Sequence, residues 1–205
     1  MAQYDQSTED FAANQDLFGE GSNISEQTQT AVSDLFAGQD NVNVYDYDPE
    51  TPPEGDPDVI IVPEGTELTE DPGGAVVIFQ GQASGTFEAS VDEGRTIIAQ
   101  GDTDQDLNFT GQGEVTVETG SGNDVITAES GVNLKARPGD GDNTVEGGDG
   151  FDTLNLSQNR DDVEFAVDED GNLVITGSSY TVDNMETIQF GDALSVVADD
   201  GNEAI

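Results

Sequence analysis

The chain has 205 residues, of which 45 are Asp or Glu and 4 are Lys or Arg, for a formal charge of -41. So few basic side chains cannot neutralise a phosphate backbone, which excludes nucleic acid as a partner and disfavours anionic membrane surfaces, and no stretch approaches the ~20 apolar residues of a membrane span. Without Cys or His there is no disulfide, no thiolate or imidazole metal site, and no Ser-His-Asp or Cys-His catalytic pair.

Residues 1–22 are polar and acidic, with Tyr4, Phe11, Leu17 and Phe18 as large apolar anchors and room for a short helix. Met1 to Asp10 lack the basic and apolar regions of a cleavable signal peptide. That leaves cytoplasmic residence, export by an uncleaved C-terminal signal, or assembly inside a cell into a particle later released, and the location expected from the whole reading is extracellular or on a particle surface. The run from Asn23 to Ala37 predicts a second helix: Asn23 and Glu26 match a capping box, Gly38 is a stop, and Ile24, Thr28, Ala31, Val32, Leu35 and Phe36 form a stripe. That stripe is served either by the chain's own domain or by another subunit. Asp46 to Asp58 carries Pro49, Pro52, Pro53 and Pro57 among acids and predicts an extended linker, so that residues 1–57 read as an N-terminal arm. Val59 to Val62 and Ala75 to Phe79 are β-branched runs bounded by Pro and Gly, hence strands that would cap a coil.

The most regular stretch is 119–155. Its blocks read Thr119-Gly-Ser-Gly-Asn-Asp124-Val-Ile126-Thr127, Pro138-Gly-Asp-Gly-Asp-Asn143-Thr-Val145-Glu146 and Gly147-Gly-Asp-Gly-Phe-Asp152-Thr-Leu154-Asn155. Glycines at positions two and four are expected to take positive φ and curl the backbone so that its carbonyls converge. The side chain at position six adds an oxygen, and an all-oxygen cluster suits Ca2+ better than Mg2+, whose octahedron is stricter. The apolar residue at position eight points inward, so units must stack. With the position-four glycine as ruler, Gly85, Gly94, Gly113, Gly122, Gly131, Gly141 and Gly150 mark the blocks. Position eight then holds Ala89, Ile98, Val117, Ile126, Lys135, Val145 and Leu154.

After Asn155, Val163-Glu-Phe-Ala-Val167 and Leu173-Val-Ile175 flank an Asp170-Gly171 turn and predict a hairpin. Residues 156–192 would cap the coil, and 193–205 form an acidic tail. The fold class is thus all-β, a parallel β-roll or β-solenoid over 58–192 with a C-terminal cap, preceded by the arm.

The nonapeptides, together with Gly150 to Asp162 and Asn184-Met-Glu-Thr-Ile-Gln-Phe-Gly-Asp192, resemble the RTX, or haemolysin-type, calcium-binding β-roll and its closing segment. The resemblance covers Thr119 to Asp192. It implies that Asp124, Asn143 and Asp152 are side-chain calcium ligands. It also implies that Gly120, Ser121, Gly122, Gly139, Asp140, Gly141, Gly148, Asp149 and Gly150 form the carbonyl-bearing loops, with the Asp124 loop paired to the Asn143 loop. Asp142 joins the same candidate set, although Asp140, Asp142 and Asp149 read equally well as plain surface charge. Departures at Thr119, Pro138, Asn143 and Lys135 lead to an expectation of one or two weak sites, in the range of about 10⁻⁴ to 10⁻³ M.

Carboxylate pairs alone carry little catalytic signal in a chain with 45 acids, so no enzyme is expected. The functional expectation is a calcium-binding structural protein, displayed on a surface or assembled through residues 1–57 into a cell-surface layer or virion shell. The alternative is a secreted calcium-dependent adhesion or polysaccharide-binding module exported by a type I system. The charge also fits an acidic surface suited to saline surroundings.

Overall fold

A computed structural model describes residues 3–13, 24–129, 131–167, 173–176, 180–192 and 195–197. Strands are numbered β1 to β18 and helices α1 and α2 in chain order. The chain is a parallel β-solenoid of about six turns, as its alternating Gly-rich corners and short β-branched runs dictate. One wall stacks β2 (Asn41–Asp46), β3 (Val59–Val62), β5 (Val76–Phe79), β7 (Arg95–Ala99), β9 (Glu114–Thr119), β11 (Asn133–Arg137), β13 (Thr153–Asn155) and β17 (Thr187–Gln189). The facing wall stacks β4 (Glu67–Leu68), β6 (Ser84–Val91), β8 (Asp106–Gly111), β10 (Val125–Ala128), β12 (Asn143–Glu146) and β16 (Tyr180–Asp183).

Register aligns like with like. On the first wall Ile97, Val117, Ala136, Leu154 and Ile188 occupy one inward column. On the second, Phe87, Leu107, Ile126, Val145 and Val182 occupy another. These two columns interdigitate as the inner core. A single turn has nowhere to bury such a side chain, and each fully buried one contributes about 1.5–3 kcal/mol, so the turns stabilise one another.

Residues 58–118 therefore belong to the same coil as the nonapeptides, and Val59–Val62 and Val76–Phe79 are rungs of it rather than a cap. The glycine ruler slips at two blocks. Ile98 pairs with Glu118 and faces outward, while Ile97 is the inward residue. Likewise Lys135 lies outside and Ala136 inside. A corner shortened by one residue, as after Gly94, or lengthened by one, as after Gly131, reverses every side chain that follows it.

The boundary expected at 57/58 is not a division in the structure, because β2 is already a rung. Its other edge is covered by β1 (Gln3–Ser7), which runs antiparallel to it. α1 (Thr8–Ala13) and α2 (Glu26–Leu35) lie on the outer surface of the first wall. There Phe11, Val32 and Phe36 join Val42, Val44, Val59, Ile61, Val76, Ile78 and Ile98 in a second core. The helical stripe is thus met by the chain's own sheet. The capping residue is Ser25, whose Oγ accepts from the Thr28 amide at 3.2 Å. Asn23, Leu17 and Phe18 lie outside the described residues.

At the other end, the expected cap is in part a further turn of the coil, since β16 and β17 continue both walls in parallel. β14 (Glu164–Val167) and β15 (Leu173–Thr176) make the predicted antiparallel hairpin, its turn lying outside the described residues. β18 (Ser195–Val197), within the segment read as an acidic tail, pairs antiparallel with β17.

One buried carboxylate ties the helical layer to the coil. Glu118, 2% exposed, accepts from Ser25 N at 3.0 Å, from Ser25 Oγ at 2.6 Å and from Gln100 Nε2 at 2.6 Å. It sits at the N-terminus of α2, where the unpaired amides favour a negative charge. Glu118→Ala is expected to destabilise the protein by about 1.5–3 kcal/mol in urea denaturation. Amide exchange within 26–35 should accelerate more than exchange in 134–137, and equal protection of α2 in both proteins would show that the carboxylate does not hold the helix.

Candidate metal centre at the stacked loops

The corners stack as regularly as the strands. At one corner, loops 100–105, 119–124 and 138–143 lie directly over one another, with successive partners 19 residues apart. The glycines serve this stacking more than they serve the expected positive φ. Among Gly120, Gly122, Gly139, Gly141, Gly148 and Gly150, only Gly141 has one, at φ +117. A Cβ on Gly120 would lie 1.9 Å from the Gly101 carbonyl oxygen, and one on Gly139 would lie 1.9 Å from the Gly120 oxygen. Gly150 meets Val132 O at 1.9 Å in the same way at the opposite corner. These positions are small because the next loop's backbone occupies the space a side chain would need.

Two side-chain ladders run through each corner in opposite directions. Position six reaches towards the preceding turn: Asn143 Oδ1 accepts from Asp124 N at 2.8 Å, Asp124 Oδ1 from Gln105 N at 2.9 Å, and Gln105 Oε1 from Gly85 N at 2.8 Å. Position five reaches towards the following turn: Asp104 Oδ1 accepts from Asn123 N at 2.7 Å and Asn123 Oδ1 from Asp142 N at 2.9 Å. At the opposite corner Asp152 Oδ1 accepts from Leu134 N at 2.6 Å, Asn133 Oδ1 from Phe151 N at 2.8 Å, and Glu186 Oε2 from Asp152 N at 2.7 Å. Each bond satisfies a corner amide that the β-ladder cannot reach.

The residues singled out from sequence divide accordingly. Asp124, Asn143 and Asp152 are all buried, at 1%, 1% and 0% exposure. The Asp124 and Asn143 loops are stacked neighbours, with Gly120, Ser121 and Gly122 lying under Gly139 and Gly141. Asp152 is on the other corner, with Gly148 and Asp149 in its loop. Asp140, Asp142 and Asp149 are exposed, their side chains outside the buried position-six column. The sequence reading missed Gln105, Asp104, Asn123, Asn133 and Glu186. Loop 100–105 lacks the position-four glycine, with Thr103 in its place, which hid it from the ruler. Gly101-Asp102 followed by inward Leu107 was the available signal.

Carboxylate and amide rungs differ in how well they are satisfied. Asn143 uses both ends of its amide, since Nδ2 also donates to Gly139 O at 3.2 Å. Gln105 does likewise, donating to Thr103 O at 3.1 Å and Ala83 O at 3.2 Å. Asp124 Oδ2 and Asp152 Oδ2 are buried without a hydrogen bond of normal geometry. Burial raises the Asp124 pKa, against the Thr119 hydroxyl and the Gln105 amide, with the Asp104 carboxylate adding to the rise. Burial also pushes Asp152 up to about 6, against the Leu134 amide, with Glu186 adding to the rise and the Gly148 amide opposing it. Gly147 leaves the room this carboxylate needs, for a Cβ there would be 2.5 Å from Asp152 Oδ2.

A hard cation fits such a donor set at Asp124 and at Asp152. It would neutralise the buried charge and engage the unpartnered oxygen, as a protein amide does elsewhere. Among the described residues no three acidic side chains converge to hold a metal by themselves, so loop carbonyls must complete any shell. Asn143 is a weaker candidate, because its oxygen is neutral and its nitrogen already donates to the Gly139 carbonyl of its own loop. Compared with family models, curated proteins and solved structures, the chain matches none.

The ladder predicts opposite outcomes for two substitutions in chelator. Asp152→Asn keeps the acceptor for Leu134 N and removes the buried charge, so it should stabilise the protein at pH 8, on the order of 1–2 kcal/mol after allowance for solvent screening. The native-state pKa lies above the unfolded value, so the wild type loses stability as pH rises through about 6 and regains it as pH falls. The gap between variant and wild type should therefore narrow as pH falls below about 6 and close only near the unfolded value of 3.8, in urea titrations. Asp152→Ala leaves the Leu134 amide unsatisfied and should be less stable than Asp152→Asn at both pH values by about 1–3 kcal/mol.

Proposed function

We propose that this chain is a non-catalytic, calcium-binding structural protein, a rigid coil displayed on a surface or built into a larger particle. The single observation that carries this reading is the pair of buried carboxylates, Asp124 and Asp152, each with one oxygen that no hydrogen bond of normal geometry reaches inside stacked glycine loops. The resemblance of residues 119–192 to the RTX β-roll supports the same cation. With a charge of -41, bound calcium would also relieve part of the self-repulsion that opposes the compact state. Residues holding the metal would be Asp124 with loop carbonyls of 119–122, and Asp152 with those of 147–150. When bound, the ion supplies the positive charge the corners lack, so metal uptake and folding are coupled.

Docking on an assembly falls to the first residues of the arm. β1 is the end strand of its sheet, and Tyr4 is 38% exposed on it. An end strand, as β1 is among the described residues, can accept a further strand from a partner. The adhesion or polysaccharide reading has its own support in the exposed outer face of β6, β8, β10, β12 and β16. There Thr86, Asp106, Val125, Thr144 and Thr181 stand in one rank across five turns.

Calcium titration followed by far-UV circular dichroism and calorimetry tests the metal reading. The wild type should gain β signal and thermal stability over about 10⁻⁴ to 10⁻³ M calcium, and Asp124→Ala with Asp152→Ala should lose that response. A wild type indifferent to calcium between chelator and 10 times that range would remove the metal from the function.

A further inference from the structure

Cations are so few in this chain that each can be followed to its partner. Arg95 holds Asp71 and donates to Gly73 O at 2.8 Å, and Lys135 pairs with Glu114 at 2.7 Å. Arg160 donates to Val163 O at 3.3 Å and lies 5.8 Å from the centre of the Phe190 ring. Arg137, the fourth, makes neither an ion pair nor a hydrogen bond among the described residues. It is half-buried in a chain that holds 45 acidic residues. A guanidinium whose five donors are all free of the protein is available to an anion from outside.

The surroundings of Arg137 narrow the kind of anion. It aligns with Glu118 on the rung of β9 and, on the far side, with Asn155, which in turn aligns with Gln189. No ion pair joins Arg137 to Glu118, whose oxygens are engaged by Ser25 and Gln100. Arg137 lines a groove of about 730 Å3 beside the start of α2, a size within the ~300–1,000 Å3 of small-molecule sites. Gln27 and Thr30 of α2 line it too, with Asn155, Ser157 and Gln189 of the coil. Among these lining residues Glu26 is the one carboxylate, so Arg137 leaves the groove without net charge in a chain at -41.

Most of this polar lining is unused. Asn155 is 5% exposed, and its side-chain amide makes one contact, Nδ2 to Ala136 O at 3.5 Å, at the limit of a hydrogen bond. The side chains of Gln27, Ser157 and Gln189 make none among the described residues. A buried amide paired this poorly is a free-energy cost that a ligand hydroxyl would offset.

We propose that this groove binds a saccharide carrying a single carboxylate, such as the terminal uronic acid of a glycan, with Arg137 as its anchor. A guanidinium takes a carboxylate through two parallel N–H···O bonds. The amides of Gln27, Asn155 and Gln189 and the hydroxyl of Ser157 both donate and accept, which is what sugar hydroxyls require. The limit of one charge follows from the rest of the surface, since a chain at -41 repels a polyanion while one negative charge meets one free cation. The groove lies on the other wall from the rank of Thr86 to Thr181, and neither Asp124 nor Asp152 lines it.

Calorimetric titration of the full chain in millimolar calcium tests the site with methyl glucuronide, methyl glucoside and acetylglutamate as probes. The glucuronide should bind once per chain, and the glucoside, the same ring without the carboxylate, at least about tenfold more weakly. Arg137→Gln should weaken the glucuronide by about tenfold or more and leave the glucoside unchanged, and Arg137→Lys should recover part of the loss because it keeps the charge without the fork. Gln27→Ala, on the helix surface, should weaken the glucuronide severalfold with no change in thermal unfolding. Failure of the wild type to take up the glucuronide, or equal affinity for the glucoside, would overturn the proposal. Acetylglutamate binding as tightly as the glucuronide would show that the groove reads a carboxylate without a sugar, such as an acidic peptide, and would overturn the saccharide assignment. Wild-type affinity in Arg137→Gln would remove the anchor. If that variant does not fold, unchanged affinity in Gln27→Ala would overturn the site instead.

Discussion

The structure depends on how closely successive corner loops approach. Gly120 rests on Gly101 O and Gly139 on Gly120 O so tightly that even a methyl group has no room. This contact sets the rise of the coil and brings the position-five and position-six side chains within hydrogen-bond reach of the next turn's backbone. Corner amides have no strand partner of their own, so the ladder of Asp, Asn and Gln side chains satisfies them. The inward columns of Val, Leu and Ile fill the space the corners enclose.

The same close stacking places charge where water cannot reach it. A position-six amide is content there because it offers both a donor and an acceptor. A carboxylate offers only acceptors, and burial raises the free energy of its charged form. Asp152, flanked by Glu186, illustrates the consequence with a pKa pushed up to about 6. Asp71 lies at the surface instead and is held by the guanidinium of Arg95, which keeps its carboxyl below the usual range. Substituting one residue type at one rung therefore changes a self-closing turn into one that buries a charge.

The two cores explain why the early strands read as continuous apolar runs. β3 and β5 are buried along their whole length because the helices cover their outer side and the coil covers their inner side. β11 alternates half-buried and buried residues, and among the described residues it contributes nothing to the outer apolar core. Glu118 stands near the border between these regimes, a polar residue buried because α2 begins on it.

From the sequence alone, the nine-residue recurrence of Gly, Asx and an apolar residue established a stacked β coil and singled out Asp124, Asn143 and Asp152 as inward, polar corner positions. The pattern is local, and local geometry follows from it: small residues where backbones meet, an oxygen at the bend, an apolar side chain on the strand. What only the tertiary structure decided was pairing across turns. It showed that Gln105 belongs to the same ladder although its loop lacks the marker glycine, and that Ile97 and Ala136, rather than Ile98 and Lys135, face the core. It also placed β1, α1 and α2 on the coil instead of apart from it. Those outcomes depend on contacts between residues 19 to 93 positions apart, where one added corner residue inverts a strand and a single buried carboxylate decides where a helix lies.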